Sequence, residues 1–234
     1  MAHSLFGLFD ENQGGLIISR HPYDEKYWPR YMAMRRSVSP RTDFGWKEVA
    51  ELQKIMRRAD IWTDFPARGY SLVNAEFKAG DEDQRIDLLY LRVDGALLPC
   101  ELKLGGSNNK DAHGQLIRYI ADLYYQKIDL AWLRTEHKKF IDSITDSLAQ
   151  QLHADKLENF LEKHRIEDRF LRILPQTGIL MDIEFPSQLL KAVRYLNGYC
   201  GFAIRLLQIE AFVDDQWKPE SVDYMFRLDF VDVQ

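Results

Sequence analysis

Two apolar, strand-like runs separated by a three-residue gap constrain this chain more than any other feature. Arg85 to Arg92 is rich in Ile, Leu and Tyr. Ala96 to Leu104 carries Leu97, Leu98, Cys100, Leu102 and Leu104, and Asp94-Gly95 lies between the runs. Such a pair reads as an antiparallel hairpin. Side chains alternate along a strand, so Glu101 and Lys103 share one face while Leu98, Cys100, Leu102 and Leu104 share the other. The register then decides which face Asp87 takes. A two-residue turn at Asp94-Gly95 sets Asp87 against Leu102, on the apolar face. A three-residue loop, Val93-Asp94-Gly95, with Gly95 left-handed, sets Asp87 against Glu101. A two-residue turn followed by a bulge at Pro99, which cannot donate to the ladder, sets Asp87 against Lys103. The three-residue loop is the expected form.

The flanking sequence supplies more strands and helices. Tyr70 to Lys78 reads as a strand with Glu76 near its end, followed by a polar turn at Gly80-Asp81-Glu82-Asp83. Gly105-Gly106-Ser107-Asn108-Asn109 ends the second hairpin strand, and a helix follows from about Asp111 to Gln126. Upstream, Thr42 or Asp43 can cap a helix to about Arg58, with Val49, Leu52, Ile55 and Met56 at helical spacing. Downstream the spacing predicts a short strand at Ile128–Leu133 and helix over 135–164, in one or two pieces. A strand follows within Phe170–Met181, then a helix over Ser187–Leu196 ended by Asn197-Gly198. Strands at Gly201–Val213 and Val222–Val231 close the chain. The expected class is α/β: a central mixed β-sheet flanked by helices, with additional C-terminal strands and helices. Residues 1–43 read as an irregular N-terminal extension with a short strand at Leu16-Ile17-Ile18. Residues 44–234 read as one domain: a core over 44–133, a helical segment over 135–164 and a strand-helix-strand part over 170–234.

A 46% hydrophobic and 12% aromatic content supplies a core for such a domain. No apolar run is long enough to cross a bilayer, and the N-terminus lacks the pattern of a signal peptide. Cys100 and Cys200 lie in apolar, strand-like surroundings and are expected to be buried thiols in a reducing compartment, which implies the cytoplasm. The net charge of −5 counts against a protein that coats nucleic acid, but a local cationic patch can still attract phosphate. Arg20, Lys26, Arg30, Arg35, Arg36 and Arg41 form one candidate, interleaved with Tyr23, Tyr27, Trp28 and Tyr31. That mixture suits backbone and base contacts, with Arg30, Arg35 and Arg36 at its centre. It equally suits a solvated arm packing its aromatics on the domain or on a second subunit.

If the register holds, Asp87, Glu101 and the backbone carbonyl of Leu102 make an incomplete oxygen cage, the usual way Mg²⁺ is held when it must also bind phosphate and water. Such an ion polarises a scissile phosphate and acidifies a water. Lys103 is placed to orient that water and to stabilise the added negative charge of the transition state. Glu76, on the neighbouring strand, can complete the first metal shell or serve a second ion. Gln115 and Tyr119, one helical turn apart, can hold a water or phosphate oxygen above the metal. His113, near the start of that helix, suits a helix-terminus or phosphate-contact role. Asp81, Glu82 and Asp83 read as a solvated turn. The remaining histidines (His3, His21, His137, His153, His164) lack metal-ligand spacing, and Gly105-Gly106-Ser107 lacks the pattern of a nucleotide-binding loop.

The order Glu76, Arg85-Ile86-Asp87, Glu101-Leu102-Lys103, then Gln115 and Tyr119 resembles the PD-(D/E)xK nuclease superfamily. More narrowly it is similar to the archaeal and actinobacterial mismatch and single-strand endonuclease family and its uncharacterised relatives. The resemblance covers about residues 44–133, with Ile86 where the family carries proline. It implies a restriction-endonuclease-like fold and a DNA endonuclease using Mg²⁺ or Mn²⁺. Asp87 and Glu101 would be metal ligands, Lys103 the catalytic lysine, Gln115 the accessory residue of the helix and Glu76 the upstream acid. Tyr119 joins Arg30, Arg35 and Arg36 as a candidate contact to DNA or RNA. Cutting both strands of a duplex calls for two centres, which a symmetric homodimer provides. The competing reading is a nuclease-fold protein without catalysis, acting as a nucleic-acid-binding or assembly subunit in which the same residues form a structural ion-pair cluster. A third reading makes the helices of 135–164 an interaction surface within a larger defence or repair assembly.

Overall fold

In a computed structural model of the chain, the described residues are 5–10, 15–19, 36–38, 53, 57, 69–78, 85–105, 111–145, 147–174, 176–213 and 224–231. They contain ten strands: β1 (Leu5–Asp10), β2 (Gly15–Ser19), β3 (Arg36–Val38), β4 (Tyr70–Lys78), β5 (Arg85–Arg92), β6 (Ala96–Leu102), β7 (Arg172–Ile173), β8 (Thr177–Asp182), β9 (Ala203–Val213) and β10 (Tyr224–Val231). Their helices are α1 (Ala112–Tyr124), α2 (Leu130–Ser143), α3 (Ser147–Ala154), α4 (Lys156–His164) and α5 (Ser187–Tyr199). The strands form one sheet in the order β2-β1-β10-β9-β8-β6-β5-β4, with β3 on β9 and β7 on β6. The sheet is mixed: β6, β8 and β9 run parallel, and the remaining pairs along that order are antiparallel. The fold is therefore α/β, a central mixed sheet flanked by helices.

Every residue of β6 is buried, as expected of a strand covered on both faces. On one face, Leu180 and Leu206 pack beneath Leu116 and Ile120 of α1 and Leu189 and Val193 of α5. Farther along the same layer, Leu89, Leu91 and Leu97 meet Tyr119 and Leu123 of α1, Leu133 of α2 and Leu157, Phe160 and Leu161 of α4. Leu88, Tyr90, Leu98, Cys100, Leu102, Met181 and Leu207 form a separate cluster with Phe140 of α2. Full burial of each such leucine contributes on the order of 1.5–3 kcal/mol. Helix α1 sits directly on β8, because a Cβ at Gly178 would lie 2.8 Å from Leu116 Cδ1.

The terminal strand β4 is covered by α2. Its pairing with β5 slips between Leu72 and Asn74, leaving Val73 as a bulge. His137 of α2 lies with Nδ1 2.9 Å from the Val73 carbonyl. Asn74 Nδ2 donates to the Glu136 carbonyl at 3.2 Å. The Val73 carbonyl at the bulge thus has a partner in α2.

Several expectations change. Residues 128–133 do not form a strand. Asp129 caps α2 by accepting from Trp132 N at 2.8 Å, and Leu133, His137 and Phe140 are buried at helical spacing. The segment 135–164 holds three helices rather than one or two. Helix α5 continues to Tyr199. Asn197 does not end it, because its side chain instead bonds both the N–H and the carbonyl of Ile204, each at 2.9 Å. Cys100 is buried as expected, but Cys200 is exposed at the end of α5; both thiols are free. The first 43 residues, read as an irregular extension, contribute β1, β2 and β3 to the same sheet. The helix expected before Arg58 lies outside the described residues, save Gln53 and Arg57, which make one helical hydrogen bond of 2.9 Å. Among the described residues no helix is long and apolar enough to cross a membrane.

Candidate functional site

The hairpin takes the three-residue form. β5 and β6 pair Leu88 with Cys100, Leu89 with Pro99, Tyr90 with Leu98 and Leu91 with Leu97, so Pro99 sits in regular register. The connecting residues are Val93, Asp94 and Gly95. Gly95 is left-handed at φ +83°, and its N–H returns to the Arg92 carbonyl at 2.9 Å. Continuing the count sets Asp87 against Glu101. Asp94 locks the turn: its carboxylate accepts from Arg92 Nε at 2.7 Å and Nη2 at 2.6 Å, and from Arg172 Nη2 at 2.6 Å. The Arg92 hydrogen bonds hold its pKa down to about 2.

At the other end of the hairpin, the Leu102 N–H faces β5, while the next N–H, that of Lys103, donates to Met181 of β8 at 2.8 Å. The Leu102 N–H donates to Asp87 Oδ2 at 2.7 Å. The Asp87 side chain therefore occupies a ladder position and is held against the Glu101-Leu102-Lys103 segment. Glu101 is 2% exposed, and its Oε1 lies 2.5 Å from Lys103 Nζ. The Tyr119 hydroxyl lies near enough to this carboxylate to feel its charge. Burial first, then the charges of Glu101 and Asp87, push the Tyr119 hydroxyl pKa up, so it remains a neutral donor. The same order of causes, burial followed by Asp87 and Glu101, raises the Cys100 thiol.

Glu76 occupies an unusual backbone position. The register of Ala75 with Leu88 and Phe77 with Ile86 places it against Asp87, and its φ is +56°. A non-glycine residue there carries strain of about 1 kcal/mol or more. Gln53 Nε2 donates to Glu76 Oε1 and lies 3.4 Å from the Asp87 carbonyl. Arg57 and Arg85 each approach the Glu76 carboxylate at 3.8 Å, and Arg57 Nη2 donates to Gln53 Oε1 at 2.5 Å. Burial lowers the Arg57 pKa, with Glu76 and Asp87 acting in opposition.

Asp87, Glu101 and Lys103 are thus gathered, with Tyr119 above Glu101 and Glu76 alongside. Gln115 lies one turn before Tyr119 in α1 and is half-buried. His113 is also half-buried, and its Nδ1 has no hydrogen-bond partner among the described residues. Tyr119, expected as a nucleic-acid contact, is 4% exposed and packs with Leu89, Leu91 and Leu97. Arg30, Arg35 and Asp81 to Asp83 lie outside the described residues. Arg36 opens β3 opposite Val213.

Sequence reading missed Gln53, Arg57 and Asp182. Gln53 and Arg57 fell within a predicted helix without being singled out. Asp182 is one residue past the Phe170–Met181 segment predicted to hold a strand, and closes β8. It is buried at the end of β8, and its Oδ1 accepts from Gly105 N at 2.6 Å and Ile183 N at 2.7 Å. It thereby fixes the chain just after Lys103. Among the described residues no group of three or more His, Cys, Asp or Glu side chains is placed to hold an ion. Asp87, Glu101 and the Leu102 carbonyl remain a hard-oxygen set suited to Mg²⁺ or Mn²⁺. No protein-family model, curated protein or solved structure matches the chain.

Proposed function

We propose that the protein is a metal-dependent phosphodiesterase acting on nucleic acid, a DNA endonuclease of the PD-(D/E)xK type with a restriction-endonuclease-like fold. The observation that carries this reading is the juxtaposition of Asp87, Glu101 and Lys103 at one end of the hairpin, with Asp87 locked to the Leu102 N–H. Asp87, Glu101 and the Leu102 carbonyl would hold Mg²⁺ or Mn²⁺. The bound ion would polarise the scissile phosphate and lower the pKa of an attacking water.

The protein's own groups do the rest. Lys103 orients the water and offsets charge developing on the phosphoryl oxygens. Tyr119, held neutral by burial, would be the nearby hydroxyl donor for Glu101. Gln115 faces the same side and supports a water or phosphate oxygen. Glu76 stands as the upstream acid, its charge balanced by Arg57 and Arg85. Asp182 anchors the segment carrying Lys103. The free thiols fit a cytoplasmic protein, and a homodimer would supply two centres for a duplex.

The test is hydrolysis of single-stranded, duplex and branched DNA, and of RNA, in Mg²⁺ or Mn²⁺, beside Lys103→Ala and Asp87→Ala. Wild type should cleave at least one substrate, and each variant should lose on the order of 100-fold or more in rate. Equal behaviour of all three on every substrate would overturn the enzyme reading. The alternative, a non-catalytic binding or assembly subunit, predicts metal-independent binding and no hydrolysis.

A further inference from the structure

The solvent face of α5 carries a stripe of cations and tyrosines. Lys191, Arg194, Tyr195, Gly198 and Tyr199 are all exposed and fall at helical spacing, opposite the buried Leu189 and Val193. The helix contains no Asp or Glu. Tyr195 is 61% exposed and Tyr199 83%, with ring centroids 5.4 Å apart and planes 33° from parallel. Among the described residues, nothing outside its own helix neighbours lies within 4 Å of where a Cβ at Gly198 would stand, so this face of α5 is uncovered there.

A second aromatic pair lies at the same end of the layer. Strands β6, β8 and β9 are parallel; α1 descends after β6 and α5 after β8, and the two helices share a core cluster. Their C-termini therefore meet the hairpin-turn end of the sheet, where Leu123 packs on Leu91 and Leu97. There Tyr124 and Tyr125 of the α1 end are 56% and 86% exposed. The candidate centre lies at the opposite end.

We propose that the α5 stripe is a binding track for single-stranded nucleic acid, with bases stacking on Tyr195 and Tyr199 and phosphates meeting Lys191 and Arg194. Aromatic faces accept any base, and the interleaved cations complement a phosphate backbone. An apolar protein partner would gain nothing from two lysine and arginine charges set between the rings and the site end of the helix. The proposal goes beyond the nuclease reading, because strand binding along α5 needs neither a metal nor catalysis at the candidate centre.

The experiment measures anisotropy of labelled single-stranded DNA, single-stranded RNA and duplex DNA, in chelator and over a salt series. Parallel assays follow cleavage, thermal unfolding and sedimentation. Wild type should bind single strands more tightly than duplex. Tyr195→Ala/Tyr199→Ala should weaken single-strand binding on the order of 100-fold while leaving unfolding unchanged. Lys191→Ala/Arg194→Ala should reduce the logarithmic salt slope by about 1.4, for two phosphates on a single strand. Unchanged strand binding in the tyrosine variant, or loss of self-association in its place, would overturn the track. A tyrosine-dependent strand binder that cleaves nothing would overturn the nuclease reading and leave the track standing. A cleaving enzyme whose strand binding ignores Tyr195 and Tyr199 would do the reverse.

Discussion

The backbone N–H of Leu102, between Glu101 and Lys103, donates at 2.7 Å to the carboxylate of Asp87 on the neighbouring strand. One side chain therefore serves both the sheet and the candidate chemistry. The two roles separate by substitution. Asp87→Asn keeps an acceptor for Leu102 and should unfold within about 1 kcal/mol of wild type, yet lose on the order of 100-fold or more in hydrolysis. Asp87→Ala should lose the same activity and also about 1–3 kcal/mol, because the Leu102 donor is left unmet. Chemical denaturation and a phosphodiester assay on both variants check this; an active Asp87→Asn sinks the catalytic role.

Asp182 holds the chain beyond Lys103 through Gly105 and Ile183. Asp182→Ala removes the acceptor of the Gly105, Ile183 and Glu184 N–H groups and should cost about 2–4 kcal/mol, with a fall in turnover as the Lys103 segment loosens. Asp182→Asn retains an acceptor and should recover most of both losses. If the two variants share one unfolding midpoint and one turnover, this anchoring account fails.

Gly95 sets the register that brings Asp87 to Glu101. A Cβ there would stand 2.3 Å from the Phe170 carbonyl oxygen, at a backbone φ of +83°. Gly95→Ala should therefore destabilise by more than about 2 kcal/mol, from left-handed strain and from the displaced Phe170 backbone. Urea unfolding measures it, and a change under about 0.5 kcal/mol would show that the turn tolerates a side chain.

The Asp94 carboxylate, held by Arg92 and Arg172, has its pKa lowered from 3.8 to about 2. A depressed carboxylate contributes stability that is present above its unfolded pKa and lost as pH falls through its folded pKa. The loss should therefore fall between about pH 4 and pH 2. The full shift corresponds to about 2 kcal/mol, and solvent screening of this partly exposed group reduces it to about 1 kcal/mol. Unfolding free energy followed across that window, beside Asp94→Asn, should show a steeper acid loss in wild type. Parallel curves would remove Asp94 from the acid response.

Much of the hairpin was legible in advance because alternation and turn chemistry are local. Asp94-Gly95 with its flanking apolar runs specifies a left-handed glycine, and the period of two then assigns Asp87, Glu101 and Lys103 to one face. The segment at 128–133 misled because a short apolar run is compatible with strand or helix, and Asp129 as an N-cap decides between them only with the following turns in place. Gln53, Arg57 and Asp182 carried no distinctive spacing. Their roles arise from contacts to residues 23, 19 and 77 positions away, which no local pattern encodes.

By itself the amino-acid sequence determined the hairpin, its register and the identity of the three charged groups that register gathers, since backbone periodicity and glycine's access to positive φ act over a few residues. Only the tertiary structure decided what surrounds them. The insertion of Asp87 at the Leu102 donor, the approach of Tyr119 to Glu101, the enclosure of Glu76 by Gln53 and two arginines, and the anchoring of Gly105 by Asp182 all depend on packing between separated elements. Burial is a property of the assembled sheet and helices. So is the electrostatic consequence that follows from it: a carboxylate closed off from water must find its donors wherever the fold has placed them.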